Sequence, residues 1–273
     1  MMCETKRAKR AKEASLILLT QEEYVYLPLA IDIVCKEVGR RVKAIVVSPP
    51  MSTHGGFIKG VKKHFNAFGL YPFFVLSFKT LAFPFLSWLS RVLPGMGVYS
   101  VFSVAKKNRI PFFKVKNINS KEFLDLLGGI RPNLLVSISC PQIIKKKIRD
   151  KFELGCINVH GALLPKYRGL MPAYWALRNG EEFSGVTVHV LSEKLDDGDI
   201  LLQNKIKIEK DDTWDSLVRK TKKAGAYALV KVIRMIEEGR LEKRPNREEE
   251  ATYYSFPGKE DLKALRKMGR KIL

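Results

Sequence analysis

Ser15-Leu16-Ile17-Leu18-Leu19 and Val42-Lys43-Ala44-Ile45-Val46-Val47 are two short apolar runs, and the residues between them decide the fold. Within 24–39, Leu27, Ile31, Val34 and Val38 recur at helical spacing before Gly39. A buried strand, a helix and a second, β-branched strand make a strand–helix–strand unit, which predicts a parallel sheet with helices on its faces. The turn after the first strand, Thr20-Gln21-Glu22-Glu23, contains no glycine. A Gly-x-Gly-x-x-Gly dinucleotide fingerprint is therefore absent, which argues against a nicotinamide dehydrogenase.

Before this unit, residues 1–14 read as a frayed basic tail with Lys6 to Lys12 at its centre. The apolar run that follows is too short for a signal core. After the unit comes an insert, at about 54–105, that is strongly apolar and aromatic between Phe65 and Val104 and broken by Pro72, Pro84 and Pro94. No stretch of it offers the ~20 uninterrupted apolar residues of a membrane span. Two short helices packed on the sheet are expected here. The alternative is a peripheral contact, through residues 65–104, with a membrane, a lipid-linked acceptor or a second subunit.

The pattern then returns to strands and helices. Residues 111–115 and Leu134 to Ile138 are strands, with a helix opened by Ser120 between them. Pro141-Gln142-Ile143-Ile144 is the loop that follows, and Cys156 to His160 is the next strand. Pro172 to Asn179 reads as a short helix, and Gly185 to Val190 alternates as a strand with Leu201 to Ile208 as its partner. Thr213 caps the best helix in the chain, whose apolar positions keep i, i+3, i+4 spacing until Gly239. Residues 15–239 thus read as one domain. Residues 240–273 form a short C-terminal extension: a charged linker, an extended segment and a basic amphipathic helix.

Chemistry concentrates between Cys156 and Leu202. Asn158 and His160 close a strand at i, i+2 spacing, which places both on one face. The loop Leu163-Leu164-Pro165-Lys166-Tyr167-Arg168-Gly169 follows, and Leu195-Asp196-Asp197-Gly198-Asp199 comes after the next strand. An amide and an imidazole can hold a developing oxyanion, and a carboxylate can orient the imidazole and relay a proton. A carboxylate nearby would raise the His160 pKa. A satisfied polar pair and a set of turn-forming aspartates remain the plain alternatives. His189 is read as non-catalytic, and His54 and His64 lack partners. No His/Cys/Asp cluster has metal-ligand spacing, so no metal is expected. Gly-x-Ser-x-Gly and Gly-x-x-x-x-Gly-Lys are both absent.

Composition bounds the partners. The 273 residues carry 49 Lys plus Arg against 28 Asp plus Glu, a net charge of +21. Such a field favours anionic partners such as nucleic acid, a phosphorylated substrate, folate polyglutamate or an acidic membrane surface. Cys3, Cys35, Cys140 and Cys156 form no Cys-x-x-Cys pair, so a reducing, cytoplasmic setting is the default.

The segment Asn158-Val159-His160-Gly161-Ala162-Leu163-Leu164-Pro165-Lys166-Tyr167-Arg168-Gly169, with Pro172, Gly185-Val186-Thr187 and Leu195-Asp196-x-Gly198-Asp199-Ile200-Leu201, resembles the formyltransferase family. That family includes methionyl-tRNA, glycinamide ribonucleotide and sugar-amine N-formyltransferases. The match is specific over 134–208 and weak over 15–120. It implies a Rossmann-like, mostly parallel sheet and the co-substrate 10-formyltetrahydrofolate. It also implies that Asn158, His160 and Asp196 are catalytic, and that Gln142, Ile143 and Ile144 join Asp196 on the folate side. Lys166, Tyr167 and Arg168 would border the acceptor, with Lys166 and Arg168 placed to meet a phosphate.

Several features depart from the family. Ala162 stands where serine is usual, the first loop lacks the usual Gly-Thr-Pro-x-Phe-Ala stretch, and the aromatic insert is foreign to the familiar members. The tail after Gly239 is shorter than the ~100-residue module that methionyl-tRNA formyltransferase carries for tRNA. The expected acceptor is therefore a small or carrier-linked amine, first an amino sugar on a nucleotide or lipid carrier, with methionyl-tRNA second and glycinamide ribonucleotide third. Hydrolysis of formyltetrahydrofolate and a non-catalytic folate-binding role are the rivals, and the oligomeric state is left open.

Overall fold

Strand β1 (Leu16–Gln21) leads through helix α1 (Leu27–Val38) to β2 (Val42–Ser48), and the two strands pair in parallel as the sequence predicts. The computed structural model describes residues 12–49, 56–89 and 100–273. Helices α2 (Gly56–Phe68), α3 (Leu70–Leu89) and α4 (Val101–Lys107) precede strand β3 (Phe112–Lys114). Then come α5 (Lys121–Ile130), β4 (Leu134–Ile138), α6 (Lys146–Arg149), β5 (Cys156–His160), β6 (Arg168–Gly169) and α7 (Pro172–Arg178). The chain closes with β7 (Phe183–Val190), β8 (Ile200–Lys207), α8 (Trp214–Glu237), β9 (Tyr253–Tyr254) and α9 (Lys259–Lys267).

Seven strands form one sheet in the order β3-β2-β1-β4-β5-β7-β8. The first five are parallel, and β7 and β8 are antiparallel. This is a Rossmann-like sheet flanked by helices. Side-chain alternation assigns its faces. Leu16 and Leu18 join α1, α4 and α8 in one core, while Ile17 and Leu19 join α5 and α6 in the other. Burial on both faces explains why β1 and β4 read as unbroken apolar runs.

The turn after β1 shows why no glycine fingerprint is needed. The Glu23 carboxylate accepts from the backbone N–H groups of Val25, Tyr26 and Leu27, each at 2.7 Å. The chain's own carboxylate fills the helix N-terminus where a dinucleotide phosphate would otherwise sit.

Two expectations are corrected here. The insert does not consist of two short helices packed on the sheet. α2 ends in the Phe68–Trp214 contact against the body, but α3 is a 20-residue helix with most of its surface in solvent. Pro72 lies in its first turn, where a missing N–H costs nothing, and Pro84 removes one donor without ending the helix. By length and composition α3 matches a membrane thickness, with Lys79 interrupting its apolar run. The insert's Pro94 and the tail before Lys12 lie outside the described residues. Within 12–14, Ala14 is buried and its N–H donates to Glu237 at 2.9 Å, so this end of the tail is held.

The C-terminal extension packs back onto the body. β9 pairs in parallel with β6, Arg244 bridges Ile200 at the end of β8, and Leu262 and Leu265 of α9 pack with Tyr174, Leu177 and Leu217.

Candidate active site

The site begins at the end of β5. Ile157 and Val159 face the α8 core, so the alternation turns Asn158 and His160 to the opposite face. Antiparallel pairing sets Asn158 across from His189 and His160 across from Thr187. Helices α5 and α6 cover the sheet only as far as β5. Beyond it, two loops, 161–171 and 191–199, close over this polar row.

Asp196 is the hub of the second loop. Its Oδ2 lies 3.4 Å from His160 Nδ1 and accepts from Gly169 N–H at 3.0 Å. Its Oδ1 lies 3.5 Å from both His189 Nε2 and Asn158 Nδ2. Asn158 Nδ2 in turn meets His189 Nε2 at 3.1 Å. The His189 Nδ1–H donates to the Val190 carbonyl at 2.9 Å, which fixes the tautomer. The His160 Nε2–H donates to the Tyr167 carbonyl at 2.8 Å. Asp196 itself adopts a left-handed backbone (φ 52°), and Asn246 holds it there by donating from Nδ2 to the Asp196 and Gly198 carbonyls at 2.9 and 3.1 Å. Gly169 is needed at φ 96°, where a Cβ would collide with the Tyr254 carbonyl. A Cβ on Gly198 would collide with the Val190 carbonyl.

Burial alone would push the Asp196 carboxyl upward. His160, His189 and the Gly169 N–H outweigh it and hold the pKa at about 2. The His160 pKa is lowered, because burial outweighs the Asp196 carboxylate. This reverses the expectation that Asp196 would raise it. Both ring nitrogens of His160 nevertheless face acceptors. A proton gained at Nδ1 meets the carboxylate directly.

The three catalytic candidates come together, and the sequence missed two neighbours. His189, read as non-catalytic, stands between Asn158 and Asp196. Its alternation was visible in the sequence, but its partner became visible only with the β5–β7 register. Lys222, on α8, donates to Ser139 Oγ at 2.5 Å, and burial lowers its pKa. No motif marked it, because it sits in a run of ordinary helical lysines. A small cavity of about 20 Å³ lies between Lys222, Thr221, Gly161 and Ile138, room for about one water.

The residues expected on the folate side divide. The Gln142 carboxamide joins two loops by donating to the Lys116 carbonyl at 2.8 Å and accepting from Ile118 N–H at 3.1 Å. The Ile144 side chain is buried in the core, whereas Ile143 is 59% exposed. Arg149 Nη1 links this loop to the Asp196 loop, reaching the Ile144 carbonyl at 2.6 Å and the Ser192 carbonyl at 2.9 Å.

On the acceptor side, Lys166 is exposed. The Tyr167 hydroxyl donates to Glu181 at 2.6 Å, and its ring stacks on Tyr254. Arg168 corrects an expectation. It is fully buried and does not meet a phosphate at the acceptor side. Its guanidinium pairs with Glu248 and donates to Tyr253 Oη and, at 3.0 Å, to Asn246 Oδ1. A chain of contacts thus runs from Glu248 through Arg168 and Asn246 to Asp196. His64 bonds the Gly60 carbonyl on α2, away from the site, and His54 lies outside the described residues. A second cavity, of about 570 Å³, is lined by Leu124, Arg131, Lys147 and Phe152 and includes none of the site residues.

Comparison with known proteins places these residues in context. A family profile described as "Formyl transferase" matches residues 97–233. The methionyl-tRNA formyltransferase of Clostridioides difficile is 37% identical over 158 residues, 58% of this chain and 51% of that protein. The Bifunctional polymyxin resistance protein ArnA of Wigglesworthia glossinidia brevipalpis is 39% identical over 165 residues, 59% of this chain and 25% of that protein. The chain spans about half the length of the methionyl-tRNA formyltransferases it matches. Among solved structures, the phosphoribosylglycinamide formyltransferase of Anaplasma phagocytophilum aligns with a TM-score of 0.60 at 16% identity, covering 89% of this chain and 100% of that one. The N-formyltransferase of Helicobacter canadensis, solved with folinic acid and dTDP-3-aminofucose, aligns with a TM-score of 0.56 at 20% identity, covering 89% and 71%. These structural likenesses carry the fold.

Proposed function

The chain belongs to the formyl transferase family, and from that premise we propose that it moves a formyl group from 10-formyltetrahydrofolate to a primary amine. The observation that carries this reading is the Asp196 carboxylate, gathered beside His160, His189 and Asn158 at one strand end and accepting from the Gly169 N–H. A carboxamide and an imidazole at one strand end fit a carbonyl whose oxygen gains charge during attack. The co-substrate supplies the formyl carbon, and the residues do the rest.

Asn158 and His160 are the donors for that oxygen. The Nε2–H that rests on the Tyr167 carbonyl is the donor a formyl oxygen would take over. Asp196, ionised far below neutral pH, faces His160 Nδ1 and balances the imidazolium when a proton passes through the ring. His189 is a positioning residue that keeps Asn158 and Asp196 in place. Gln142, Ile143 and Ile144 border the folate side, and Arg149 couples that loop to the Asp196 loop. Tyr167 and Lys166 border the acceptor.

The acceptor we favour is an amino sugar on a phosphate-bearing carrier. One observation supports an anionic acceptor: Lys166 lies exposed on the loop that covers His160. Methionyl-tRNA is the second reading, supported by relatives of that name at 35–37% identity.

The test is tetrahydrofolate release from 10-formyltetrahydrofolate against nucleotide-linked amino sugars, methionyl-tRNA and glycinamide ribonucleotide. Release that requires an amino sugar supports the full reading, and release that requires methionyl-tRNA replaces the acceptor. Release without any acceptor marks a hydrolase. Folate binding without release under every condition marks a non-catalytic protein.

A further inference from the structure

The outer face of α3 is the largest feature that the proposed site does not use. Tyr71, Phe74, Phe78, Leu81, Phe85 and Trp88 recur at intervals of three and four residues, so they form one stripe along the helix. Each is more than half exposed, with Phe78 at 72% and Leu81 at 77%. Among the described residues, nothing covers them. The opposite face is held to the body. Phe73 meets Phe65 of α2, Leu76 packs against the Tyr174–Leu217 core, and Ser87 bonds Ser100 and Ser103 at 2.7 and 2.9 Å. Lys79, the only charged residue on the helix, lies on the side where it lowers the Asp215 pKa. The helix therefore lies along the surface with its apolar side outward.

Charge says what covers that side. From Val38 to Lys121 the sequence contains 14 Lys and Arg and no Asp or Glu. Lys59, Lys62 and Lys63 stand exposed on α2, which joins α3 through Gly69. A second copy docked on this stripe would bring two copies of this acid-free, basic segment together, and like charges at close range oppose association. An anionic lipid surface complements both components: basic side chains meet headgroups, and an apolar face enters the acyl boundary. Tyr71 and Trp88, near the two ends of the stripe, are the side chains that favour the interface between water and lipid.

We propose that α3 docks this protein in-plane on an anionic bilayer surface, with the Tyr71–Trp88 stripe inserted and the α2 lysines on the headgroups. This goes beyond the formyl-transfer reading and does not depend on it.

The experiment is flotation of the full chain with phosphatidylcholine vesicles, with and without phosphatidylglycerol. It should float with the anionic vesicles, and high salt should weaken binding. Trp175 and Trp214 are buried, so Trp88 emission reports the contact and should shift to the blue and be quenched by bromolipid. Replacing Phe74, Phe78 and Phe85 together by serine should weaken vesicle binding at least about tenfold, with thermal unfolding unchanged. Replacing Lys59, Lys62 and Lys63 by glutamine should remove most of the salt dependence. Absence of flotation at low salt would overturn the proposal. So would binding that the serine variant leaves intact. A dimer in sedimentation equilibrium that the serine variant dissolves, without vesicle binding, would assign the stripe to a second copy.

Discussion

The β5 end and the outer face of α3 solve opposite problems. Around Asp196, polar and charged groups sit inside the protein, and each is partnered: the carboxylate to the Gly169 N–H and the Asn158 amide, Asn158 to His189, His160 to a carbonyl. Along α3, apolar side chains sit outside with nothing over them. A buried charge left unpaired costs several kcal/mol, so the first region must be over-determined. An exposed phenylalanine costs the fold little, so the second is free to be shaped by whatever it meets. Both break the usual partition of residues between core and surface, and both proposals rest on that departure.

The comparison breaks most visibly at His160. His160→Ala should lower turnover by about 10³-fold, from loss of an oxyanion donor and proton carrier together, with folate affinity little changed. Steady-state kinetics beside a folate-binding titration would check this, and unchanged turnover would end the mechanism. Arg168→Ala tests the clamp behind the site. It leaves Asn246 and Tyr253 without the buried guanidinium they face and should lower stability, read by urea unfolding. A change within error would mean that the Glu248–Arg168–Asn246 chain does not support the fold.

The pH dependence sharpens the same contrast. Asp196 has a folded pKa of about 2, below the ordinary carboxylate value. Its contribution to stability is therefore present above about pH 4 and is lost as pH falls toward 2. The His160 pKa is also depressed, so the unfolded chain takes up a proton first as pH drops below about 6.5, and stability again falls with acid. Thermal unfolding from pH 7 to pH 3 should show both, and Asp196→Asn should flatten the segment below pH 4.

The smallest effect belongs to the stripe. Phe78→Ala should change unfolding free energy by less than about 0.5 kcal/mol, whereas Phe123→Ala, fully buried under the sheet, should cost about 3–5 kcal/mol. A large loss at Phe78 would mean that α3 is covered by the protein itself.

The sequence carried much of this, because periodicity is local. The apolar runs Leu16–Leu19 and Val42–Val47 marked buried strands of a parallel sheet. Thr213 and the i, i+3, i+4 series defined α8, and the capping box at Thr213 and Ser216 is present. Asn158 and His160 were placed on one face by strand geometry alone. What it left open depended on contacts between distant residues. The β5–β7 register made His189 a neighbour of Asn158. The return of the extension turned Arg168 inward, 80 residues from Glu248 in sequence. Burial reversed the direction of the His160 pKa, because the amount of water removed from a ring is a property of the assembled fold. In α3, apolar residues lie on nearly every side, so no periodicity could say which face meets solvent. Only the packing of Phe73, Leu76 and Ser87 against the body decided that the Tyr71–Trp88 face looks outward.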